Sequence, residues 1–216
     1  MRWRLMHALV LSLLAVVPAP LRAGQGLVDR IVARVENDII LWSEVRALSR
    51  YQRFLDGTSE TDGQILDRLI DQWIVRNEAD VSRFPHPSAA DIERGIERVR
   101  KSLGSSQEFE SRERQCGLND QQIRAMVAAQ LYLSNYLDSR FRPAVRIEPQ
   151  AVEDFYRNSV LPVAKARGQE IPSLDAARDA IEEALMQNGI NNQADQWLKE
   201  SRTRLHIEKL LDESVK

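Results

Sequence analysis

The stretch Leu27 to Val45, LVDRIVARVENDIILWSEV, constrains the fold more than any other part of the chain. It reads as two β-branched runs, Val28–Val35 and Asp38–Leu41, joined at Glu36-Asn37. In the first run Val28, Arg30, Val32 and Arg34 alternate with Asp29, Ile31, Ala33 and Val35. A period of two, broken where residues accept turn conformations, predicts a β-hairpin. Ser43 then stands where a cap would start a helix whose first turn carries Glu44. A lone hairpin is only marginally stable in water, so another part of the chain must complete it. Near the other end, TRLHIEKLL (Thr203–Leu211) alternates Leu205 and Ile207 with Arg204, His206 and Glu208. That pattern supplies a third strand, and the two ends of the mature chain are expected to meet there.

Between the strands the apolar residues change to helical spacing. A first helix is predicted from Ser43 to about Leu55, with Val45, Leu48 and Leu55 on one side. Thr61 and Gln64 have capping-box spacing and open a helix striped by Ile65, Leu66, Leu69, Ile70, Trp73 and Ile74. Trp73 reads there as a core residue. Pro85-His86-Pro87 ends this segment, and Ser88 with Asp91 starts the next, which Gly104 stops. A short helix covers Gln107 to Gln115. Asn119 and Gln122 open a longer one that ends before Pro143, and Pro149 suits the first turn of another. Val160 to Pro172, with two prolines and Gly168, reads as irregular. From Ser173 a helix runs on through Ile181, Ile190 and Trp197, its continuity weakened by the roughly 1 kcal/mol a mid-helix Gly189 costs. The fold class is therefore mainly α with a small β element: several helices, and an N-terminal β-hairpin completed by a C-terminal strand.

The first 23 residues are a different material. Arg2 and Arg4 precede an apolar run from Leu5 to Val17, and Pro18 to Ala23 breaks it and ends on a small residue. This is the pattern of a secretory signal peptide cleaved after Ala23. The run falls short of the roughly 20 residues a bilayer span needs, and an uncleaved anchor is the alternative. Hydrophobic residues make up 43% of the chain and charged residues 29%, which suits an exported globular protein. Without the signal, 27 basic residues face 32 acidic ones, so no excess of positive charge is available for nucleic acid. The single cysteine, Cys116, permits no internal disulfide. It reads as a small apolar residue before Gly117, with pairing between chains as the alternative. Export without disulfides fits the periplasm of a Gram-negative-type bacterium.

Little in the remaining residues supports catalysis. Outside the signal the histidines are His86 and His206, and with Cys116 they make no metal-ligand spacing. There is no Gly-rich phosphate loop, no GxSxG and no HExxH. No catalytic residue, metal or cofactor is expected, and the many acids interleaved with arginines read as solvated helix faces. A binding or scaffolding protein is the class left standing.

The order of segments adds to this. VDRIVARVENDIILWSEV, then QILDRLIDQWIVRNEA, then HPSAADIERGIERVR, resembles the N-terminal domain of SurA-like periplasmic chaperones. So does FESRERQCGLNDQQIRAMVAAQLYLSNYLDSRF followed by VRIEPQAVEDFY, and ARDAIEEALMQNGINNQADQWLKESRTRLHIEKLL resembles the segment that closes such proteins. The resemblance implies a helical chaperone domain over 24–160 and a closing helix and strand over 173–216 that pack back on it. It also implies an ATP-independent holdase for unfolded outer-membrane or secreted polypeptides. Family members usually carry parvulin-type prolyl isomerase domains, for which the linker at 161–172 is too short. Isomerase activity is therefore not expected. Trp42, Leu48, Tyr51 and Phe54, the apolar and aromatic residues of the first helix, are the candidate lining of a peptide-binding crevice. Prolyl isomerisation and a scaffold role with a fixed partner or a homodimer are the competing readings.

Overall fold

A computed structural model describes residues 29–168 and 170–211; the expected signal peptide lies outside the described residues. Strands β1 (Ile31–Val35), β2 (Asp38–Leu41) and β3 (Ile207–Lys209) form one antiparallel sheet in the order β2-β1-β3. The hairpin is thus completed by the C-terminal strand, as the alternation predicts. Ala33 pairs with Ile40 on one side and with Lys209 on the other, and Arg34 reaches across to Glu208 at 2.9 Å. Between Ile31 and Ala33 the register with β2 shifts at a bulge. Val32 and Ala33 are consequently both fully buried, where strict alternation would expose one of them. The left-handed residue of the turn is Glu36 (φ +54°) rather than Asn37. Its backbone N–H donates to the His206 carbonyl at 2.9 Å, and its carboxylate accepts from the His206 N–H at 2.7 Å. These two bonds offset the roughly 1–2 kcal/mol that a non-glycine pays in that conformation.

Helix α1 (Trp42–Asp56) begins one residue earlier than Ser43 predicts, and no side chain of its N-cap residue caps it. Glu44 reaches back to accept the Leu41 N–H at 2.7 Å, and Asp29 accepts the Ser43 N–H at 3.2 Å. Ser43 is therefore a donor to Asp29 rather than the cap. Helices α2 (Asp62–Val81), α3 (Ala89–Ser102) and α5 (Asp120–Phe141) start at the expected capping boxes of Thr61, Ser88 and Asn119. Between the last two lies α4 (Ser106–Cys116), opened by Ser105.

The stretch after Phe155 corrects the sequence reading. Helix α6 (Pro149–Phe155) passes through a π-helical turn, Tyr156–Val160, into α7 (Leu161–Ala166). Pro162 lies in the first turn of α7, just after the π-helical turn, a position that tolerates proline. The segment is helical to Ala166, and the Tyr156 hydroxyl donates to the Pro172 carbonyl beyond it at 2.7 Å. Helix α8 (Leu174–Arg204) is continuous across Gly189 and extends to Arg204, so the C-terminal strand is shorter than Thr203–Leu211.

Gly189 is there because α8 presses against the link after α5. A Cβ on it would lie within 3.0 Å of Val145 Cγ2 and closer still to Cγ1. Valine is stiff at χ1 and has little freedom to swing aside. Gly189→Leu is expected to lower stability by about 2 kcal/mol through overpacking. A urea melt checks this: a stabilised variant, as helix propensity alone would give, would show that the contact is not there.

Three apolar clusters result. The first joins the sheet (Val32, Val35, Ile40) to α1 and to Ile65, Ile70 and Trp73 of α2. The second packs Phe54 against Phe109 of α4, Ile96 of α3 and Ile123 of α5. The third sits on the far side of α2, where Val75 and Ala79 meet Tyr132 and Tyr136. The closing helix is held by charge as well. Arg202 donates to Asp71 at 2.7 Å, to Asp67 at 3.0 Å and to the Asp67 carbonyl at 2.7 Å, and Lys209 meets Asp67 at 2.6 Å.

Arg142 likewise ties α5 to α8 by gripping Asp138 and Glu183, both at 2.8 Å. Its guanidinium, helped by the Gln187 amide, holds the Glu183 carboxyl down at about 2, against an ordinary 4.5. A carboxyl depressed in the folded state adds stability above its unfolded value and loses it as pH falls through the folded one. The stability difference between the protein and Glu183→Gln should be full at about pH 6, shrink below 4.5 and be gone near 2. Thermal melts across that range check it; a difference that persists at pH 2 would refute the tie.

Candidate functional site

The four candidate residues on α1 do not share a surface. Leu48 is buried in the first cluster, and Tyr51 and Phe54 are buried in the second, Phe54 completely. Burial pushes the Tyr51 phenol up to about 12. Trp42 is half-buried against the first cluster, with the Arg30 guanidinium 5.0 Å from its ring centre. The helix carries aromatics on more than one side because it has two cores to fill, one with the sheet and one with α4. An accessible apolar surface lies elsewhere.

It lies between α2, α3 and α5, in an open groove of about 410 Å³. Its construction starts at the end of α2. Arg83 takes a left-handed φ of +55°, and the Phe84 N–H folds back to the Ala79 carbonyl at 2.9 Å. The loop is thereby turned against α5, and Phe84 meets Tyr136 edge-on at 5.5 Å. Pro85 and Pro87 then fix φ on both sides of His86. The His86 ring lies flat on Tyr132, with centres 4.3 Å apart and planes 19° apart. Tyr132 in turn donates its hydroxyl to Asp80 at 2.7 Å, and burial and that bond push its phenol up to about 12.

The opposite sides of the groove complete the shape. Gly95 lets α3 approach α5 closely, since a Cβ there would stand 2.7 Å from Val127 Cγ1. Directly after Val127, Ala128 and Ala129 present small side chains on α5, so the groove keeps its volume beside Ile92 and Leu133. Along α2 the wall is polar: Gln72, Arg76 and Asp80, one turn apart. Of these, Asp80 is engaged by Tyr132. The side chains of Gln72 and Arg76 have no hydrogen-bond or ion-pair partner among the described residues.

What this arrangement can do is bind. Its shape and lining are those of a site taking an apolar group with a few polar anchors. No three His, Cys, Asp or Glu side chains among the described residues gather as a metal ion would need. No helix among them is long and apolar enough to cross a membrane.

The sequence reading missed Arg76, Tyr132 and the two alanines. A signal was present in MVAAQLY: a pair of small residues interrupts the apolar spacing just before a tyrosine that is largely buried. His86 between two prolines was visible, but its stacking partner, 46 positions on, was not. A scan against protein-family models and a search of curated proteins found no match to this chain.

Proposed function

We propose that the protein is an ATP-independent chaperone that holds unfolded outer-membrane or secreted polypeptides during transit through the periplasm. The observation that carries this reading is the open, mainly apolar groove between α2, α3 and α5. It leaves Gln72 and Arg76 of its polar wall without a partner among the described residues, as a surface for exchangeable ligands would. The order of elements, a hairpin, a helical body, then a closing helix and strand, is the one that the resemblance to SurA-like chaperones implies. Burial in the groove contributes roughly 25 cal/mol per Å², and ordering the client opposes it. Binding is then weak and release needs no nucleotide, which suits a carrier rather than a catalyst.

The test is light scattering of an unfolded outer-membrane porin diluted into buffer with and without the protein. Suppression of scattering near equimolar ratio, without ATP, is the expected result. Unchanged scattering would overturn the reading and leave a dedicated partner as the alternative, to be sought first as concentration-dependent self-association.

A further inference from the structure

The charges of the groove narrow what it accepts. On a helix, Arg76 and Asp80 stand one turn apart and would ordinarily neutralise one another. Here Asp80 takes the Tyr132 hydroxyl at 2.7 Å instead, and no ion pair joins it to Arg76. Gln72, one turn before Arg76, carries no charge. The wall thus offers a guanidinium that is in no ion pair among the described residues and an amide donor, while the one carboxylate among the residues lining the groove is turned to the Tyr132 hydroxyl. Beside them, within the same 410 Å³, Ile92, Leu133 and the two alanines make an apolar floor.

We propose that the groove takes an extended polypeptide segment in which an apolar or aromatic side chain has a carboxylate beside it. This rests on the chaperone reading and deepens it, by naming the site and the chemistry of the client segment. The apolar side chain fills the volume over Ala128 and Ala129. The carboxylate accepts from Arg76, whose planar fork suits two parallel N–H···O bonds, and Gln72 donates to the segment's backbone or carboxylate. A segment with lysine in place of the acid meets repulsion at the same point.

The probe is a blocked hexapeptide with phenylalanine next to glutamate, titrated by fluorescence anisotropy alongside its glutamine and lysine counterparts. The protein is expected to bind the glutamate peptide about fivefold more tightly than the lysine peptide, in line with a close, partly desolvated charge pair. Arg76→Glu should invert that order. Ala129→Leu, which fills the floor, should weaken all three peptides by a similar factor. Both positions are exposed, and circular dichroism verifies the fold; Arg76→Gln, which should abolish the preference without inverting it, is the second check. Equal affinity for the three peptides, an order untouched by Arg76→Glu, or no binding at all would overturn the proposal. The porin assay separates it from the reading beneath it. If Arg76→Glu and Ala129→Leu hold porin as well as the parent does, clients sit elsewhere and this inference falls while chaperoning stands. If the parent binds the glutamate peptide but fails to hold porin, the chaperone reading falls and the peptide site stands.

Discussion

Replacing Phe54 by alanine should destabilise the protein by about 3–5 kcal/mol, the range for emptying a fully buried phenylalanine site. Phe54 has no exposed surface, meets Phe109 edge-on at 5.1 Å and lies 6.1 Å from Tyr51. The ring is what α1 and α4 share, and α4 has otherwise few buried side chains of its own to hold it. Arg112 of α4 donates to the Leu55 carbonyl at 2.9 Å, which fixes the same junction from the surface side. Refilling by movement is therefore limited, and the cost should fall towards the upper half of the range. For a chain of this length the loss corresponds to roughly 10 °C in Tm. Phe54→Leu, which keeps most of the volume, should cost only about 1 kcal/mol. Equilibrium unfolding in urea measures both; a loss under 1 kcal/mol for the alanine variant would mean that α1 and α4 do not pack through this ring.

Trp73→Ala is the second large effect, again about 3–5 kcal/mol. Trp73 is nearly buried in the first cluster, and its indole N–H donates to Asp38 at 2.8 Å. With Ile65 and Ile70 it holds α2 to the hairpin, by packing and by one polar bond at the turn end of β2. The two contributions can be separated. Trp73→Phe retains most of the packing and should lose about 1 kcal/mol for the missing hydrogen bond, since Asp38 is exposed and water can replace the donor. The location of the damage is as informative as its size. Hydrogen exchange should quicken first at Ala33 and Arg34 in the centre of the sheet, while the α3 and α5 amides keep their protection. Uniform loss across the molecule would mean that the sheet and the helical body unfold as a single unit.

These two residues also mark how far the sequence could be read. The hairpin, its C-terminal partner strand and the capping boxes at Thr61, Ser88 and Asn119 were legible, because each is set by residues close together or by a simple period. Trp73 was legible as core because it lies in the middle of a continuous apolar stripe. The start of α1 was not, because its free N–H groups are satisfied by Glu44 reaching backwards and by Asp29 from before the hairpin. The helix through Pro162 was missed because a proline at a first turn and a proline that breaks a helix look alike without the neighbouring geometry. Tyr51 and Phe54 read as surplus aromatics, since nothing local tells that α4 will cover them. The groove was illegible for a related reason: it is made by small residues, Gly95, Ala128 and Ala129, and by where the helices bearing them cross.

The sheet's connectivity has a consequence for how the chain reaches its native state. The central strand β1 finds one partner across a two-residue turn, whereas the other, β3, arrives after helices α1 to α8. Closing a loop that long costs about 4–5 kcal/mol of chain entropy before any strand bond forms. Topologies dominated by such distant pairings fold slowly. The helical body can assemble while the polypeptide is still emerging, but the outer edge of β1 must wait for the final residues. Until then an unpaired strand edge stands open on a half-finished protein, exposed to pairing with a neighbouring chain in the same state.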